Sequence, residues 1–132
     1  MLAVGVSASR ADAQDPLARA RALYNQGDYD AALAAADEAR KTPARAPSAD
    51  LIAARAYLER YRGTVNTEDL ALAREYLGRL DPSRFTPIER IEFLVGLGET
   101  LYFDESSGAS AVVFESVNLG QARNPQHFCK AH

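Results

Sequence analysis

The stretch that most restricts how this chain can fold is Pro16 to Ala39, PLARARALYNQGDYDAALAAADEA. It consists of two Ala- and Leu-rich runs divided by Asn25-Gln26-Gly27-Asp28. Gly27 can take the left-handed backbone that ends a helix at no steric cost. Asp28 can then accept from the free N–H groups of a second helix. Ala20, Leu23 and Tyr24 before the turn share helical spacing, as do Tyr29, Ala32, Leu33, Ala36 and Ala39 after it. Small residues on the facing sides let two helices approach closely. The stretch therefore predicts an antiparallel helical hairpin.

The pattern Ala20-x-x-Leu23, Gly27-Asp28-Tyr29, Ala32-Leu33, Ala36, Ala39 resembles a tetratricopeptide repeat (TPR), although Pro16 stands where that family carries a large aromatic. Ala20-Arg21-Ala22-Leu23-Tyr24 returns as Ala54-Arg55-Ala56-Tyr57-Leu58, an offset of 34 residues, which is the TPR period. The apolar face of the following helix is Leu70, Ala73, Leu77 and Leu80. A third copy, offset by 44 residues from the second, is read in Gly98, Leu101, Ser110, Ala111, Phe114 and Val117. Loop insertions absorb the excess. The resemblance implies an all-α fold: antiparallel helix pairs stacked as a short right-handed solenoid over residues 16–119.

Local punctuation supports six helices, Pro16–Gln26, Tyr29–Lys41, Ala49–Tyr61, Glu68–Leu80, Pro87–Phe103 and Gly108–Leu119. Asp15-Pro16 places a cap before a proline at the first helical position. Thr86-Pro87-Ile88-Glu89 has the spacing of a capping box. Thr42-Pro43-Ala44-Arg45-Ala46-Pro47 reads as a linker between pairs. Leu101-Tyr102-Phe103 and Val112-Val113-Phe114 have strand-like composition, but they fall in the repeat frame and are read as helical.

Residues 1–15 lie outside the repeats. Leu2–Val6 is a short apolar patch, and Ala11-Asp12-Ala13 is an A-x-A cleavage pattern before Gln14. This resembles the end of a bacterial secretory signal, without a preceding Lys or Arg, so export to the periplasm or cell envelope is the expectation. Residues 120–132 form a polar tail, and the stretch Asn118 to Pro125 after Val117 is too short and polar to cap a repeat array, which suggests a fragment of a longer array, self-association through the last repeat or a marginal C-terminal end.

Catalytic constellations are sparse. Of 132 residues, two are His and one is Cys; there is no glycine-rich phosphate loop and no serine nucleophile motif. The adjacent acids Glu68-Asp69 and Asp104-Glu105 point different ways on a helix or turn and make poor acid–base pairs. No enzymatic activity and no cofactor are expected. A net charge of −3 argues against nucleic acid as a partner, and no apolar run reaches transmembrane length. His127, Cys129 and His132 are the one metal-like cluster, but three ligands fall short of a closed zinc site.

By resemblance, function lies on the concave face lined by the first helix of each pair, which binds a peptide or extended protein segment. Carried over by position, that face comprises Arg21, Tyr24 and Asn25; Leu51, Arg55, Leu58 and Glu59; and Val95, Glu99, Tyr102 and Phe103. Arg21 and Arg55 hold the same repeat position, so two guanidinium groups beside Tyr24 suit a carboxylate or an acidic peptide. The Lys and Asn of the family's carboxylate clamp are not reproduced. The alternative for both arginines is an ordinary solvated helix surface, paired with Glu59 or Glu99. The alternative functions are a self-assembling structural repeat domain of a larger cell-envelope protein, or metal binding by the tail residues His127, Cys129 and His132.

Overall fold

The computed structural model describes residues 15–104 and 112–118. Among these residues all regular structure is helical: α1 (Pro16–Asn25), α2 (Tyr29–Ala39), α3 (Ala46–Thr64), α4 (Thr67–Gly78), a 3-10 turn (Pro82–Arg84), α5 (Pro87–Phe103) and a helix over 112–118. The leader to residue 14, the tail with His127, Cys129 and His132, and residues 105–111 fall outside the described part. No described helix is long and apolar enough to cross a membrane. The chain divides into two compact units, Met1–Asp81 and Pro82–His132.

The helix ends follow local chemistry. Asp15 accepts from the Ala18 amide at 3.4 Å, with Pro16 in the first turn where no donor is needed. Gly27 closes α1 at φ 80°, and Asp28 accepts from the Ala31 amide at 3.2 Å. Thr86 and Glu89 form the expected reciprocal capping box, both bonds at 3.2 Å.

Helix α3 departs from expectation at both ends. It begins at Ala46, before Pro47, because a proline in the first helical turn removes no intrahelical bond. It then runs through Gly63 to Thr64 and stops at Val65, whose backbone is left-handed at φ 56°. Helix α4 ends at Gly78, so Leu80 lies beyond its apolar face.

In the first unit α1 packs on α2, α2 on α3 and α3 on α4, with α1 also touching α3. Two helical hairpins result. Their shared core is Ala20, Leu33, Ala35, Ala36, Ala39, Ala49, Ile52, Ala53 and Ala56, with Leu17, Leu23, Tyr24, Tyr29 and Tyr57 packed around it. Alanine predominates, so the backbones approach closely but each contact buries little area. Aromatic and charged groups supplement this core. Tyr57 stacks on Tyr76 at 5.7 Å, and the guanidinium carbons of Arg40 and Arg79 lie 4.7 and 4.5 Å from the Tyr76 ring centre.

In the second unit Phe85 and Phe93 are buried against each other at 6.2 Å. The Phe114 ring lies over Gly98, and a Cβ added there would meet it at 2.7 Å. The three small positions spaced by 34 and 44 residues, Ala20, Ala54 and Gly98, are all buried.

Candidate functional site

Helix α1 carries Arg21, Tyr24 and Asn25. Arg21 and Tyr24 are three residues apart, hence on one helix face, and both are half-buried; Asn25 is exposed. Tyr24 packs against the alanine core and makes a tilted pair with Tyr29 at 5.6 Å. Arg55 comes from α3 and is half-buried, its guanidinium carbon 4.9 Å from the Tyr24 ring centre. A first helix of one hairpin and the first helix of the next are thus joined by a cation–π contact, worth about 0.5–1 kcal/mol at an exposed site and more when desolvated.

Two sequence expectations for this face are corrected. Leu51 and Leu58 each retain 1% exposure and present no surface to a partner. With Ala54 they form an i, i+3, i+7 stripe, an apolar line that buries itself, while Arg55 and Glu59 sit one residue further round. Glu59 is half-buried and its carboxylate lies 3.4 Å from Arg62, one turn away on the same helix. On α5, in the second unit, Glu99 and Val95 are half-buried, and Tyr102 is 62% exposed with its ring edge-on to Phe103 at 5.8 Å.

Sequence reasoning missed the charged lattice on α2, α3 and α4. Arg40 Nε donates to Asp50 Oδ1 at 2.7 Å. Its Nη2 lies 2.6 Å from the same oxygen but outside hydrogen-bond geometry, so the Nε bond and charge attraction hold the pair. Burial works against the Arg40 charge, yet the hydrogen bond and charge of Asp50 outweigh it and hold the guanidinium above its ordinary value. Arg60 donates to both oxygens of Asp69, at 2.9 and 3.3 Å, and to Asp30 at 3.1 Å. Arg45 pairs with Asp15, tying the start of α3 to that of α1. Partners 9 to 30 residues apart leave no local signature that could have revealed them.

The acid pair Glu68-Asp69 lies in the first turn of α4; Glu68 is exposed, and Asp69 is engaged by Arg60. Among the described residues no group of three or more His, Cys, Asp or Glu side chains is placed to hold a metal ion. No family model, curated protein or solved structure matches the chain.

Proposed function

We propose that the chain is a TPR-like right-handed solenoid acting as a protein–protein interaction scaffold, exported to the cell envelope, whose task is binding rather than catalysis. The partner is a peptide or extended segment carrying carboxylates, received by Arg21, Tyr24, Asn25 and Arg55. The supporting observation is the Arg55–Tyr24 contact at 4.9 Å, between the first helices of successive hairpins, with Arg21 one turn before Tyr24. An aromatic platform beside two guanidinium groups suits the two-pronged binding of carboxylates.

The test is crosslinking and capture in cells, comparing wild type with an Arg21→Glu/Arg55→Glu variant. Charge-assisted hydrogen bonds contribute about 1.5–3 kcal/mol each, so losing two lowers recovery of a true partner by more than about tenfold. Undiminished capture by the variant overturns the groove. The intact mass of the recovered chain tests export, which requires a form beginning at Gln14.

A further inference from the structure

A different surface of the first hairpin has the features of a docking site. Alongside α1 lies a depression of about 270 Å³ whose lining, among the described residues, is Ala18, Arg19, Ala22, Leu23 and Gln26. A second, of about 120 Å³, is lined by Pro16, Arg19, Ala35 and Glu38. Arg19 borders both. Its side chain is exposed and has no hydrogen-bond or ion-pair partner among the described residues. An apolar hollow with a cation on its rim, unpaired among the described residues, suits an apolar side chain followed one turn later by an acid.

The helix at 112–118 carries that pair. Val112 is 64% exposed, and Glu115, three residues on and therefore on the same face, is exposed too. The Glu115 carboxylate likewise has no partner among the described residues. We propose that α1 of one molecule receives helix 112–118 of a second copy, with Val112 over Ala18 and Ala22 and Glu115 against Arg19. The contact joins two different surfaces, α1 of one copy and helix 112–118 of another, so every copy offers both halves of the interface. Two short helix faces make a small interface, so association is weak and reversible. This inference goes beyond the binding face proposed above and does not depend on it.

Sedimentation equilibrium of the full chain over a wide concentration range tests it. The average mass is expected to rise with concentration. Arg19→Glu alone and Glu115→Arg alone each place like charges together and weaken association by more than about tenfold. Both substitutions in one chain restore it, as does mixing the two single variants. Both sites are exposed, so unchanged helical circular dichroism confirms that each variant is folded. A mass that stays monomeric throughout overturns the proposal. So does association indifferent to both reversals, or failure of the swapped pair to restore it.

Discussion

Val65 holds a left-handed backbone at φ 56° while its side chain is 68% exposed. For a β-branched residue this conformation costs about 1–2 kcal/mol, and an exposed side chain recovers little by packing. Gly27 occupies the corresponding turn of the first hairpin at φ 80°, with nothing within 4 Å of an added Cβ. Two opposite outcomes follow from one backbone preference. Val65→Gly should raise stability by about 0.5–1 kcal/mol after allowing for the freer unfolded chain, and Gly27→Ala should lower it by about 1 kcal/mol. Denaturant titration of both variants measures this, and a destabilised Val65→Gly would contradict it. Arg60 offers a second contrast. The Asp69 side chain is 4% exposed and the Asp30 side chain 87%, yet both bind the same guanidinium. Asp30→Ala should therefore change stability by less than about 0.5 kcal/mol. Arg60→Ala strands the buried Asp69 carboxylate and should cost about 2–3 kcal/mol, below the range for fully buried pairs because Arg60 remains a third exposed. Equal losses in the two variants would remove burial as the deciding factor.

At the scale of elements, the approach of α5 to the helix at 112–118 depends on Gly98, where the Phe114 ring occupies the space of a Cβ. The near atoms are the far end of a ring that is 37% exposed, so the ring can swing outward. Gly98→Ala gains up to about 1 kcal/mol of helix propensity in α5, which offsets much of the lost ring contact. Global stability should stay within about 1 kcal/mol of wild type, while amides of 112–118 exchange faster and those of α1–α4 do not. Faster exchange throughout the chain would show that the contact is not local. The elements legible in the sequence were those with signals a few residues wide: Asp15-Pro16, Gly27-Asp28 and Thr86-x-x-Glu89 each set a helix end by nearest-neighbour chemistry. The start of α3 was missed because a proline in a helix's first turn and one that breaks a helix look alike in sequence. The Arg55–Tyr24 contact joins two residues that the sequence assigned to one face. Leu51 and Leu58 were misplaced by the same carry-over, since a repeat position does not say which side a long apolar stripe will bury. The Arg40–Asp50 and Arg60–Asp69 pairs depend on the packing of α2, α3 and α4, which no local pattern encodes.

At the scale of the whole molecule, the first unit combines an alanine-rich core with a lattice of rings and charges around Tyr57, and a pH dependence of its stability at the alkaline end is the expected consequence. Tyr57 stacks on Tyr76 at 5.7 Å and lies 5.6 Å from the Arg60 guanidinium carbon. Burial raises its pKa, the neighbouring Tyr76 and Asp37 raise it further, and the attraction of Arg60 only partly opposes them. The neutral phenol is therefore favoured in the folded state. A group raised in this way contributes stability that is fully present below its unfolded value, about 10 for tyrosine, and is lost as pH climbs through the higher folded value. Folding free energy measured by denaturant titration should then fall above about pH 10, and fall less steeply in Tyr57→Phe. The remaining tyrosines and the growing negative charge act in both proteins, so the difference between the two curves reports Tyr57 together with its coupling to Tyr76. If the curves run parallel from neutral pH to the alkaline limit, the phenol is equally at ease in both states and the ring lattice is no proton-linked part of the fold. If they diverge, the same charge and stacking that join α3 to α4 also set the pH range over which the first unit holds the surface of Arg21, Tyr24 and Arg55 in place.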